Sequence, residues 1–134
     1  MEQVVPEGFI LNKGRGPYTT HNGPFYINAS VDPWLHGTFI IDRHCNGAQI
    51  AHGGMLMSIA DYCLCSVAME SKENYAATIS FRSEFVAPAK VGSLVEIFTT
   101  ITKETRSLAF GQGHIECEGE TVFSFSGIVK KIKK

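Results

Sequence analysis

The chain has 134 residues, enough for one domain with a real hydrophobic core, and twelve basic against thirteen acidic residues leave a formal net charge of -1. That balance carries no electrostatic footprint for nucleic acid or for an anionic membrane surface. No apolar run approaches the roughly 20 residues needed to span a bilayer, and the N-terminus shows no basic region followed by an apolar stretch. The four cysteines, Cys45, Cys63, Cys65 and Cys117, have neither metal-type nor regular disulfide spacing, so reduced thiols and a cytoplasmic protein are expected.

In chain order, residues 1–24 are the least regular part of a single domain spanning 1–134, and "NKGRGPYTTHNGP" reads as a surface loop rich in glycine and proline. "FYINASV" and "WLHGTFIID" have the aromatic and β-branched content of strands, and "RHCNGAQIAHGG" is a polar loop. Then Leu56, Ile59, Ala60, Cys63, Leu64, Val67 and Ala68 fall at the spacing of a core-facing helix, which "ESKEN" ends. "YAATISFRSEFVAPA", "SLVEIFTTITKE", "RSLAFGQGHIEC" and "TVFSFSGIVKKI" read as four strands, with Lys130, Lys131, Lys133 and Lys134 in a solvated tail. Strands, one long helix and then a run of strands predict an α+β fold in which an antiparallel sheet wraps a single helix.

The helix holds an anomaly. From Gly53 to Met69 the only charged residue is Asp61. At about 100° per residue it lies some 120° from the centre of the apolar stripe, beside Met57, Leu64, Cys65 and Ala68. An aspartate there is either an ordinary surface acid or a buried group that needs hydrogen bonds or a raised pKa. The scarcity of polar neighbours implies that the helix is covered by its own sheet on one side and by something else, such as a second copy of the chain, on the other. At the helix start, His52-Gly53-Gly54 puts unpaired N–H groups and the positive end of the helix dipole where an oxyanion could sit, or else makes only a tight turn. Gly53 and Asp61 are eight residues apart, about 12 Å along the axis at 1.5 Å per residue. One reacting carbon cannot touch both, so joint action requires Gly53 from one subunit and Asp61 from another.

At these residues the sequence resembles the hotdog-fold acyl-CoA thioesterases, in particular the phenylacetate-degradation (PaaI-like) branch. The residues that carry the likeness are Asn46, Gly47, His52, Gly53, Gly54 and Asp61, followed by "FVAPAKVG" and "TRSLAFGQGHI", so it covers about residues 40 to 130. The resemblance implies a sheet around the long helix, a homodimer with composite sites and commonly a homotetramer, a dimer of dimers. It implies acyl-CoA as substrate, with the Gly53 N–H polarising the thioester carbonyl and Asn46 assisting or fixing the loop. Asp61 of the other subunit would act as general base or nucleophile, and Thr78 would help to hold the water. His52 orders the loop or approaches the thioester, and Gly54 lies beside the bound substrate.

Arg82 and Glu84 stand where many relatives carry small polar residues; both side chains leave one strand face and are expected to pair. Arg82, Lys90 and Arg106 are candidates for binding substrate, the last two, with Lys103, through the phosphates of coenzyme A or else simply as scattered surface charge. Met55, Met57, Tyr62 and Phe81 are candidate acyl-pocket residues or plain core. Cys45 beside His44 lacks the geometry of a thiol–imidazole pair, the histidines show no metal-ligand spacing, and no phosphate loop or dinucleotide fingerprint occurs, so chemistry without metal or cofactor is expected. Two other functions remain open on this fold. A non-catalytic acyl-CoA binder or sensor would have no need of Asp61, and a hotdog hydratase or dehydratase fits the His-Gly-Gly…Asp arrangement less well.

Overall fold

The computed structural model describes residues 4–12, 16–69 and 74–133. Its seven strands form one antiparallel sheet in the order β1-β2-β3-β5-β6-β7-β4. In chain order these are β1 (Ile10–Asn12), α1 (Pro17–Asn22), β2 (Phe25–Asn28), β3 (Leu35–Phe39), a 3-10 turn (Asp42–His44), α2 (Gly53–Ala68), β4 (Asn74–Phe85), β5 (Leu94–Glu104), β6 (Leu108–Cys117) and β7 (Glu120–Lys133). The sheet curls around α2, which packs against β4 to β7. This is the hotdog arrangement. No helix among the described residues is long and apolar enough to cross a membrane.

The expected stripe of α2 is buried at Leu56, Ile59, Ala60, Cys63, Leu64 and Ala68, and Met55 joins it. Leu64 sets how deeply the helix sits. Gly111 of β6 and Gly127 of β7 are direct partners in the ladder. A Cβ at Gly111 would lie 2.5 Å from Leu64 Cδ1, and one at Gly127 would lie 2.7 Å from Leu64 Cδ2. The two glycines therefore form a seat for the leucine, and any side chain there would lift the helix away from the sheet.

Three expectations change. The N-terminal stretch is not wholly irregular: β1 extends the sheet and α1 lies on α2. The Asn12 amide donates to the Tyr62 hydroxyl at 2.8 Å, and Tyr18 shares a 3.1 Å hydrogen bond with Ser58, so the chain's own N-terminal segment covers part of the helix face assigned to a second copy. Lys130 and Lys131 are not a solvated tail. They pair with Ala77 and Ala76 of β4, and Lys131 reaches Glu104 at 3.2 Å, because alternate apolar residues carry β7 to Lys133. Lys134 and most of "ESKEN" lie outside the described residues.

One buried polar cluster ties β3 to the helix. His36 is 1% exposed, its Nε2 is 3.3 Å from Ser66 Oγ, and Tyr62 packs edge-on against its ring while stacking on Phe25. Burial pushes the imidazole down from 6.5 to about 4, the Trp34 backbone offsetting only part of the effect. The unfolded chain therefore takes up this proton near its ordinary pKa while the folded protein resists it until about pH 4. Stability should fall as the pH drops below 6.5, by about 2 kcal/mol at pH 5 from this group. Because burial also lowers the His44 pKa, urea unfolding at pH 8 and pH 5 should show a loss in the wild type that exceeds the loss in His36→Gln by about that amount; equal pH dependence in both would remove His36 as a cause.

Candidate functional site

The site begins with a loop that delivers the chain to the start of α2. Asn46 closes it: its Oδ1 accepts from the Ala48 N–H at 2.8 Å and its own N–H donates to Ile50 O at 2.9 Å. A bridge between Cys45 and Ala51 closes the loop on itself, and one between Ile50 and Lys90 ties it to the segment after β4. Asn46 thus holds the loop closed with both its side chain and its backbone N–H.

His52 caps the helix. Its Nδ1 accepts the Gly54 N–H at 2.8 Å, which leaves the proton of the neutral ring on Nε2. The Met55 and Leu56 N–H groups both turn back to His52 O, at 2.9 and 3.2 Å. Gly53 is different. No hydrogen bond among the described residues uses its N–H, so the first turn of α2 offers one open donor at the positive end of the helix dipole. A Cβ at Gly53 would stand 2.9 Å from Cε1 of Phe85, the last residue of β4. Phe85 is 58% exposed and screens one side of the helix start.

Asp61 is two turns further along α2 and half-buried. The Thr78 hydroxyl of β4 donates to its Oδ1, and among the described residues Thr78 alone bonds the carboxylate, leaving Oδ2 open. A β-bulge between Thr78 and Ser80 breaks the ladder with β7 beside this contact, a common device for aiming a side chain. Cys65, one turn after Asp61, places its Sγ 3.4 Å from Thr78 Oγ1.

The structure thus brings Asn46, His52, Gly53 and Gly54 together at the helix start, and Asp61 and Thr78 together at mid-helix. The two groups remain about 12 Å apart along the axis. Arg82 belongs to neither. Past the bulge, Arg82 and Glu84 point from the sheet face opposite α2, into a shallow pocket with Gln112, His114, Ser124 and Ser126. The expected Arg82–Glu84 pair does not form; Glu84 instead accepts from Ser124 Oγ at 3.1 Å. Lys90 lies beside the Asn46 loop, whereas Arg106 lies in the turn after β5. The length of β5, about 35 Å at 3.3 Å per residue, separates them. Within one chain they cannot hold the same phosphate.

Of the candidate acyl-pocket residues, Met55 is core, Phe81 stacks on Phe125 and Tyr62 on Phe25, while Met57 is exposed. Sequence reasoning passed over Phe85 and the link from Cys65 to Thr78. The spacing of Cys65 one turn from Asp61 was the signal for the second, and nothing local marked the first. All four cysteines are free, and among the described residues no cluster of His, Cys, Asp or Glu could hold a metal ion.

The sequence model of the thioesterase superfamily matches residues 48–124, the stretch from the Asn46 loop through β7's first turn of ladder. A Pseudomonas aeruginosa protein named as a putative esterase is 32% identical over 127 residues, 92% of this chain and 95% of that one. Among solved structures, a Streptococcus pneumoniae hypothetical thioesterase protein with coenzyme A superposes with a TM-score of 0.69 at 16% identity, covering 75% of this chain and 82% of the other. The Escherichia coli PaaI protein of the phenylacetic acid degradation operon superposes with a TM-score of 0.67 at 22% identity, covering 74% and 72%. The fold, the open helix start and the family match agree: the chain belongs to the thioesterase superfamily.

Proposed function

We propose that this protein is an acyl-CoA thioesterase that hydrolyses the thioester to a free acid and coenzyme A at sites shared between two subunits. The observation that carries the reading is the pairing of one open N–H, at Gly53, with one oriented carboxylate, Asp61, on a helix that holds no other charge. The Gly53 N–H takes the thioester oxygen, where negative charge grows as the carbonyl carbon becomes tetrahedral. As a base, Asp61 takes a proton from a water whose oxygen attacks the carbonyl carbon, and that proton passes to the thiolate as the C–S bond breaks. As a nucleophile, Asp61 displaces the thiolate to form a mixed anhydride, which water then opens, releasing the acid, protonating the thiolate and restoring the carboxylate. Thr78 holds Oδ1 so that Oδ2 faces the reaction.

The sheet edge supports the shared site. Among the described residues β4 is the terminal strand, bonded only to β7, and Ile79 and Phe85 on it are each 58% exposed. A long edge strand with apolar side chains exposed on it invites another strand. If β4 pairs antiparallel with β4 of a two-fold-related copy, a register centred between Phe81 and Arg82 sets Thr78 opposite the partner's Phe85. Thr78 holds Asp61 and Phe85 screens Gly53, so this pairing would carry Asp61 of one subunit to Gly53 of the other. The homodimer is then the catalytic unit, with a dimer of dimers as the expected assembly. The coenzyme A in the Streptococcus pneumoniae structure supports the ligand class. Free thiols accord with a cytoplasmic setting. Lys90, beside the loop, is the candidate phosphate contact nearest Gly53, and the acyl class is to be found with a panel of aryl, short-chain and long-chain acyl-CoAs assayed for thiol release.

Asp61→Asn keeps the shape and removes the basicity, so kcat should fall by roughly 10² or more while KM stays near that of the wild type. A kcat within threefold of wild type would move catalysis elsewhere and favour a binding function. In Gly53→Val the new side chain must push Phe85 aside and crowd the carbonyl oxygen. The loss in kcat/KM should be about 10², with thermal unfolding nearly unchanged. Wild-type kinetics in that variant would reduce the helix start to a turn.

A further inference from the structure

We propose that Cys65 is a positioning residue for the thioesterase reaction: its S–H donates to Thr78 Oγ1, which commits the single hydroxyl proton of Thr78 to the Asp61 carboxylate. The inference rests on Asp61 being the reacting group. Thr78 Oγ1 has two neighbours, Asp61 Oδ1 and, at 3.4 Å, Cys65 Sγ. A hydroxyl has one proton to give, an ionised carboxylate can only accept, and a thiol sulfur is a weak acceptor. The proton of Thr78 therefore goes to Asp61. Only one role then remains for Cys65, that of donor to a Thr78 lone pair, and the thiol must keep its proton to fill it. Its surroundings hold it in that form: burial and the nearby Asp61 charge raise its pKa, outweighing the opposing pull of the Thr78 contact.

No other group competes for this chain of donors. The buried side chains of β5, β6 and β7 include Ile97, Thr99, Ala109, Ile115, Phe123 and Val129, none of them charged, and the one hydroxyl among them, Thr99 Oγ1, bonds neither Thr78 nor Cys65. From the other side of the helix, Tyr18 of α1 bonds Ser58 and His36 of β3 bonds Ser66, both away from Thr78. The order Cys65, Thr78, Asp61 is thus fixed by acceptor strength and by the absence of alternatives among the described residues. Its consequence is geometric. With Oδ1 held by a hydroxyl that cannot turn away, the carboxylate keeps Oδ2 aimed outward.

Cys65→Ala removes the donor, and kcat should fall about fivefold with KM unchanged, because the sulfur acts through Thr78. Cys65→Ser keeps a donor at the same place and should restore kcat to within about twofold of wild type. A loss of packing alone would not be repaired by the smaller, more polar serine. In a Thr78→Val background, where no hydroxyl remains to be oriented, Cys65→Ala should cause no further loss. Unchanged kcat in Cys65→Ala, failure of serine to restore it, or an undiminished effect of Cys65→Ala beside Thr78→Val would each overturn the proposal. Asp61→Asn separates the two levels. If that variant is inactive and the cysteine variants behave as wild type, only the relay fails; if Asp61→Asn is active, the assignment of Asp61 itself fails.

Discussion

The seating of Leu64 on Gly111 and Gly127 is the contact on which the remaining geometry depends. The two glycines face each other across the β6–β7 ladder, and neither leaves room for a Cβ beneath the leucine methyls. Burying such a side chain is worth roughly 2 kcal/mol, but the larger effect is positional. It fixes the height of α2 above the sheet, and Asp61, one turn before Leu64, then meets Thr78 on the neighbouring edge strand. A helix held further out would leave the carboxylate without its donor.

The same helix solves two problems of polar burial in different ways. At its start, His52 satisfies the Gly54 N–H and supplies the carbonyl for Met55 and Leu56, so the positive end of the dipole is concentrated on the one donor left open, at Gly53. In its middle, a charge on an apolar shoulder is tolerated because a bulge turns Thr78 toward it. These two features lie on one rigid element and point toward the same sheet edge, yet too far apart for one substrate carbon. The N-terminal segment covers part of the exposed helix face through Asn12 and Tyr18, while Met57 stays exposed and β4 forms an edge of the sheet.

Much of this was legible in the chain. The long helix announced itself by the spacing of Leu56, Ile59, Ala60, Cys63 and Leu64, and each of the last four strands by its β-branched and aromatic runs. Asp61 stood out by its isolation and Gly53 by the pair of residues without side chains, both local signals. What escaped was tertiary. β1 is three residues long, and α1 holds only six, so neither has a periodicity to detect; both exist because α2 and β2 offer surfaces to lie on. Arg82 was a candidate because it stands where many relatives carry small polar residues, and the bulge between Thr78 and Ser80, which no local pattern marks, puts it on the sheet face opposite α2. Phe85 meets Gly53 across more than thirty residues of chain, a contact that no motif encodes.

The distance between Gly53 and Asp61 makes the sharing of sites between subunits the central claim, and subunit mixing tests it most directly. Gly53→Val damages one half of each site and Asp61→Asn the other, so each protein alone should be nearly inactive. When the two are unfolded and refolded together in equal amounts, random pairing makes half of the dimers mixed, and each mixed dimer regains one site with both halves intact. Recovered activity should approach roughly a quarter of wild type for a symmetric two-fold dimer with independent sites. If mass spectrometry shows the mixed dimer and no activity returns, both halves of the site come from one chain or the reaction takes place elsewhere, and the account fails.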